Sequence, residues 1–306
     1  PHAALEDALR LSRAMSFKSA AAGLALGGGK GVIALPIGAE LSPADRREAL
    51  LDFGETVDLL GGRYVTAEDV GTSAADMTVI REVTAHVAGL SREEGGSGDP
   101  SPFTARGVEI AIRSVLQRLF GSPSLQGRGV SIIGLGHVGE QVAHLCADDG
   151  AQLVLADVDP DKAALADELG GRWVSPQEAL VAEVDVLSPC ALGGVLNPDS
   201  VPALRCRGIA GAANNQLADD SVAELLHRRG ILYAPDFVAN AGGIINIACE
   251  RDGYDPELAA RRVQTIADNL ELIFDASARD GVSPLSAALA LARTRLEPPA
   301  SEQPKA

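Results

Sequence analysis

Lysine is almost missing from this 306-residue chain: only Lys18, Lys30, Lys162 and Lys305 occur, and the other 22 of 26 basic side chains are arginine. Basic charge as a whole is outweighed, with a net charge of -16 and a pI near 4.7, which argues against nucleic acid or an anionic membrane as partner. No run of about 18 apolar residues is present, so no membrane-spanning helix is expected. Cysteine is limited to Cys146, Cys190, Cys206 and Cys249, with no C-x-x-C spacing. That pattern excludes a disulfide framework and a clustered metal site, and fits the reduced thiols of a cytoplasmic protein. Hydrophobic content of 46% and charged content of 22% are those of an ordinary globular chain, long enough for two domains with real cores.

What is present falls into a repeating order. Residues 4–16 carry apolar positions at helical spacing (Leu5, Ala8, Leu9, Leu11, Met15), and residues 31–35 read as a short buried strand. A helix follows over 43–60, with Ser42 as N-cap and Gly61-Gly62 as its stop, and then a second strand at 64–66. The segment 94–102, rich in Gly, Ser and Pro, is the best domain boundary. Beyond it come a helix at 104–120 and strands at 129–134, 151–156, 184–188, 207–211 and 231–233, interleaved with helices at 137–149, 160–169 and 218–229. Such alternation predicts an α/β protein of two domains: a Rossmann doubly wound parallel sheet and an α/β substrate domain, with a cleft between them. The expected divisions are a substrate domain over 1–100, a dinucleotide-binding domain over 104–260, a helical region over 261–296 that packs back on the substrate domain, and a disordered tail over 297–306.

The run Val130-Ser131-Ile132-Ile133-Gly134-Leu135-Gly136-His137-Val138-Gly139 is a strand followed by G-x-G-x-x-G and a helix. Gly134 permits the tight turn, Gly136 lets the backbone approach a pyrophosphate, and Gly139 lets helix pack on strand, while the helix N-terminus supplies an anion-binding dipole. Leu135, His137 and Val138 complete the loop, His137 as a solvent-facing spacer rather than a catalyst. Asp157 ends the second strand, 23 residues after Gly134, where an acid accepts bonds from ribose hydroxyls. With Asp159 beside it and no arginine just after the strand, the cofactor expected is NAD rather than NADP.

Two of the scarce lysines, Lys18 and Lys30, stand twelve residues apart among Ala, Leu and Gly. Arginine stays protonated at any working pH, whereas a desolvated ammonium beside a second ammonium can lose its proton near neutrality. The pair therefore reads as one cation that holds an anion and one base, against the plainer reading of a solvated surface loop.

Together with the dinucleotide motif these residues resemble the Glu/Leu/Phe/Val (amino-acid) dehydrogenase family, closest to its leucine/valine/phenylalanine branch. The segments that carry the likeness are Leu11-Ser12-Arg13-Ala14-Met15-Ser16-Phe17-Lys18, Gly27-Gly28-Gly29-Lys30, Gly62-Arg63-Tyr64-Val65-Thr66-Ala67-Glu68-Asp69-Val70-Gly71-Thr72, Pro189-Cys190-Ala191-Leu192-Gly193-Gly194, Gly211-Ala212-Ala213-Asn214-Asn215-Gln216 and Tyr233-Ala234-Pro235-Asp236-Phe237-Val238-Ala239-Asn240-Ala241-Gly242-Gly243. The resemblance implies that Lys18 holds the substrate carboxylate, that Lys30 is the catalytic base, that Asp69 exchanges a proton with the substrate nitrogen, and that Asn215 orients amino group and water. It implies too that Thr104, Ala191, Asn214 and Asn240 position the nicotinamide and its ribose. Asp69 also fits a turn, Asn240 a helix C-cap and Asn214 a purely backbone role; Arg63 and Asp76 read as salt-bridging scaffold residues.

Ile244 and Ile247, after the Asn-Ala-Gly-Gly turn, fall where the family lines its side-chain pocket. Isoleucine cannot hydrogen-bond a γ-carboxylate, which disfavours glutamate. Discrimination of one methylene is worth only about 1–3 kcal/mol, so overlap among Leu, Ile and Val is expected. The expected activity is NAD-dependent, reversible oxidative deamination of a branched-chain L-amino acid to its 2-oxo acid and ammonium, in a homo-oligomer; phenylalanine dehydrogenase and a catalytically silent NAD-binding homologue compete with it. Relatives carry several dozen residues ahead of the position of Pro1, so the chain is expected to be shortened at its N-terminus and one pocket wall with it. The turn at Ala34-Leu35-Pro36 departs from the family by one residue.

Overall fold

The computed structural model describes residues 2–35, 38, 40–191 and 193–297. The expected tail, apart from its first residue, and Pro36 of the departing turn lie outside the described residues. In chain order the helices and strands are α1 (His2–Ala21), α2 (Pro43–Leu59), α3 (Ala74–Arg81), α4 (Ser101–Phe120), β1 (Gly129–Ile133), α5 (His137–Asp148), β2 (Gln152–Ala156), α6 (Ala163–Glu168), β3 (Arg172–Trp173), α7 (Pro176–Leu180), β4 (Val186–Pro189), β5 (Gly208–Ile209), α8 (Ser221–Arg228), β6 (Leu232–Tyr233), α9 (Asp236–Ala239), α10 (Gly242–Ala248), α11 (Pro256–Val263), α12 (Thr265–Asp280) and α13 (Pro284–Leu296).

Local chemistry sets the helix ends. Ser42 accepts from the Asp45 amide at the start of α2, and Gly61 and Gly62 take positive φ just past its end, as their positions in the sequence predict. Ser73 and Asp76 form a reciprocal capping box on α3. Asp76 is also gripped by both Nε and Nη2 of Arg46, which makes the salt bridge expected of it; Arg63, expected in a salt bridge too, instead donates to the Leu60 carbonyl.

The six strands form one sheet in the order β3-β2-β1-β4-β5-β6, all parallel. This is the doubly wound dinucleotide-binding order, and its direction reverses between β1 and β4, opening a crevice at their C-terminal ends. β1, β2 and β4 are buried along almost their whole length, as parallel strands covered on both faces must be. One face packs into a large core with α4, α5, α12 and α13, and the other into a second core with α7 and α8. The two-residue strand β3 carries no apolar run and escapes a reading by pattern.

The N-terminal third departs from expectation. The segments 31–35 and 64–66 are not ladder strands; the only β contact there among the described residues is a bridge between Thr66 and Val87. A strand exists only where a neighbour accepts and donates its backbone bonds, and 31–35 meets none among the described residues, so Val32, Ile33 and Leu35 stay partly exposed despite their apolar character. What core this region has is small: Leu50, Met77, Ile80 and Leu90 between α2, α3 and the chain that follows. In contrast α1 leaves that region, packing on α13 and α9. No helix among the described residues is long and apolar enough to cross a membrane.

Candidate functional site

α1 runs five residues past its expected end, so Lys18 sits on its last turn rather than in a loop. Phe17 anchors that turn against the large core. The chain then reverses at Gly23, in the left-handed region, and folds back along its own helix. Gly28 is the contact point: a Cβ there would fall on the Ser12 carbonyl oxygen and on the Ser16 amide and hydroxyl. Ser12 Oγ donates to the Gly28 carbonyl at 2.8 Å and fixes the approach. Gly29 lies against the Tyr64 ring, and Gly31 N–H donates to Tyr64 Oη at 3.0 Å. The glycine run thus lays the loop back on α1, and Lys30 comes within electrostatic range of Lys18. Lys30 Nζ pairs with Asp69, whose other oxygen accepts from the Val70 amide at 2.7 Å. Asp69 is half-exposed and also sits in a turn, its amide donating to Thr72 Oγ1.

Burial pulls the Lys18 ammonium down to about 8, the carboxylate of Asp236 acts against that pull, and Lys30 adds to it. Burial lowers Lys30 as well, opposed by Asp7. Both ammonium groups thus give up a proton more readily than a free lysine, and the lysine expected to be the plain anion holder is itself drawn toward neutrality. Asp236, which the sequence reading passed over, is the group that answers it. Burial raises the Asp236 carboxyl; backbone N–H groups of Gln216, Phe237 and Asn215, and Lys18, counter it. Its only sequence signal was its place inside the family segment at 233–243.

At the crevice, Gly134 takes φ +97°, and a Cβ there would strike Ala191; one on Gly139 would strike the Gly134 carbonyl. A Cβ on Gly136 would meet nothing within 4 Å, which leaves the backbone of the loop open to a ligand. Gly136 caps α5, and Leu135, His137 and Val138 complete the turn, with His137 exposed. Asp157 closes β2: Oδ2 accepts from the Leu135 amide at 2.6 Å and Oδ1 from the Asp159 amide at 2.9 Å. Burial pushes that carboxyl up, but the N–H groups of Asp159, Leu135 and Val158 outweigh it and hold it below the usual carboxylate range.

On the opposite lip, Asn240 Nδ2 donates to Asn214 Oδ1 at 2.8 Å and to the Ala212 carbonyl at 3.0 Å. Asn240 Oδ1 is buried without a partner, an acceptor facing a donor still to come. Asn240 is at the same time the C-cap of α9. Asn214 and Asn215 are exposed, backed by Gly193 and Gly194, the latter donating to the Asn215 carbonyl at 2.7 Å. Thr104, on the first turn of α4, donates to the Pro100 carbonyl and abuts Gly243. Ile244 and Ile247 share one face of α10, half-buried, Ile244 against the large core. A glycine cradle, an acid at the end of β2 and an orphaned amide oxygen across the crevice together fit a dinucleotide bearing a carboxamide.

Residues 1–86 match the family described as Glu/Leu/Phe/Val dehydrogenase, dimerisation domain, and residues 164–253 match Glutamate/Leucine/Phenylalanine/Valine dehydrogenase. Residues 109–192 match the D-isomer specific 2-hydroxyacid dehydrogenase NAD binding domain, consistent with a nicotinamide cofactor. The chain is 44% identical to leucine dehydrogenase of Geobacillus stearothermophilus, across 96% of this chain and 79% of that protein. It is 43% identical to valine dehydrogenase of Streptomyces virginiae, across 96% and 82%. The crystal structure of L-tryptophan dehydrogenase from Nostoc punctiforme superposes with a TM-score of 0.86 at 38% identity, across 96% and 84%. The chain belongs to the Glu/Leu/Phe/Val dehydrogenase family and is an amino-acid dehydrogenase.

Proposed function

We propose that this protein catalyses the NAD-dependent, reversible oxidative deamination of a branched-chain L-amino acid to its 2-oxo acid and ammonium. The observation that carries the reading is the Lys18–Lys30–Asp69 group, folded together by the glycine run beside a dinucleotide crevice. When bound, NAD supplies the hydride acceptor. Asp157 would hold its ribose hydroxyls and repel a 2′-phosphate, and Asn240 Oδ1 with Thr104 and Ala191 would orient the carboxamide end. Lys18 holds the substrate carboxylate as a point charge. Asp69 accepts a proton from the substrate ammonium, so that the nitrogen lone pair can form the iminium as hydride leaves Cα. Lys30 deprotonates the water that attacks the iminium carbon and, as the ammonium it then is, stabilises the carbinolamine; Asp69 returns its proton to the nitrogen and the C–N bond breaks to give the 2-oxo acid and ammonium, with Asn215 orienting water and amino group. Closing the cleft around these groups excludes bulk water before hydride transfer.

Ile244 and Ile247 support a branched aliphatic side chain, as do the leucine and valine dehydrogenases among the relatives. The tryptophan dehydrogenase likeness supports a second reading, an aromatic substrate. Reduced thiols and the acidic surface support a cytoplasmic enzyme, and the match to a dimerisation domain supports a homo-oligomer. The test is NADH absorbance with L-leucine, L-valine, L-phenylalanine and L-tryptophan, compared by kcat/KM. Leucine or valine should lead; an aromatic in the lead refutes the branched-chain assignment. Lys30→Ala should lower kcat by about 10²–10⁴-fold with NAD affinity unchanged, the range for one acid–base group. Undiminished turnover would remove Lys30 from the mechanism.

A further inference from the structure

We propose that Asp236 is a positioning residue of the reaction, one carboxylate that fixes both Lys18 and the exposed turn at Asn215. The inference rests on the dehydrogenase reading given above and adds to it a residue that does not itself touch the reacting atoms. Asp236 opens α9, and each of its carboxylate oxygens is committed: Oδ2 accepts from the Gln216 amide at 3.1 Å and Oδ1 from the Phe237 amide at 2.7 Å. Next to Gln216 stands Asn215, the one non-glycine residue with positive φ among the described residues, at 52°. A side chain held in that region persists only where its surroundings over-determine it. Here the clamps are Asp236 on one side and the Gly194 amide, donating to the Asn215 carbonyl, on the other.

The same carboxylate faces α1, which packs on α9 and carries Lys18 on its last turn. The charged groups around this pair are few. Lys30 reaches Lys18 from the glycine loop, and Tyr233 stands under Asp236, its hydroxyl accepting from the Asp236 amide at 3.2 Å. Arg295 of α13 is committed to the Ala20 and Ala21 carbonyls and to Asn269. On α4 and α12, the other helices packed on α9, Glu109 is paired with Arg106 and Arg113, and Asp275 with Arg118. Asp236 is thus the anion that keeps Lys18 cationic beside a second lysine, ready for a substrate carboxylate. The juxtaposition links binding to chemistry: the carboxylate that sustains Lys18 also holds the Asn215 amide in place.

Asp236→Asn removes the charge while keeping a side chain of the same shape. The loss of amino-acid binding on the alkaline side, read as the pH at which KM begins to rise, should move down by about one pH unit, as expected for removing a neighbouring opposite charge. NAD affinity, which reports the intact crevice, should stay at the wild-type value. An active Asp236→Asn enzyme with the wild-type pH profile of KM overturns the inference and leaves the dehydrogenase reading standing. Absence of amino-acid-dependent turnover in the wild-type protein overturns both. If Asp236→Asn does not fold, Asp236→Glu is measured instead: its retained charge should keep the pH limb in place while kcat falls as the Asn215 turn loosens. A displaced limb, or kcat and KM both at wild type, would overturn the assignment.

Discussion

Gly28→Ala is the substitution that most directly tests how Lys30 is held. The new methyl would come well inside 3.0 Å of three Ser12 and Ser16 atoms, two of them backbone of α1, so neither partner can turn away. Either the loop lifts off the helix or the helix gives; forced overpacking of this kind costs about 1–3 kcal/mol of stability. The Ser12-to-Gly28 hydrogen bond is lost with the lift, and Lys30, two residues on, moves with it. A displacement of about 1 Å in a catalytic group costs on the order of 10²-fold in rate, so kcat/KM should fall by about that factor. The neighbouring Gly27 supplies the control, because a Cβ there meets nothing within 4 Å and its φ is not positive. Gly27→Ala should keep kcat/KM within about threefold, in line with a surface change of less than about 0.5 kcal/mol. NADH initial rates and urea unfolding of both variants decide the matter. Equal losses in the two, or none in Gly28→Ala, would refute the claim that close approach at Gly28 places the lysine.

Three further outcomes follow from the same geometry. Asp157→Ala removes an acceptor at the ribose end and should weaken NAD by about 10–100-fold, the equivalent of about 1.5–3 kcal/mol for a charged hydrogen bond, while NADP changes less; fluorescence titration with both cofactors measures it, and an unchanged NAD/NADP ratio would count against the assignment. Glu250 accepts the Gly89 and Ser97 amides with one carboxylate, tying the segment before α4 to the end of α10. Glu250→Ala should cost about 1.5–3 kcal/mol in urea unfolding and open residues 88–99 to proteases. Because a lysine is cationic only below its pKa, and Lys18 is brought down to about 8, KM for the amino acid should rise as the pH passes above about 8; a KM flat to pH 10 would show that Lys18 is not the carboxylate's partner.

Much of the Rossmann half was legible in the chain itself, because its signals are local. Buried parallel strands read as unbroken apolar runs such as 153–156, and Gly134 and Gly139 announce a turn whose φ and close packing favour glycine. The N-terminal third was less legible. Residues 31–35 are as apolar as a strand, yet strand formation is a property of pairs, and no described segment pairs with them. The scarcity of lysine marked Lys18 and Lys30, and glycine spacing marked a loop between them. Only the tertiary structure decided that this loop lies back on α1, that Asp69 closes on Lys30 across 39 residues of chain, and that Asp236 stands behind Lys18 from 218 residues away. Charge and desolvation act through space, and residue types alone carry no distance.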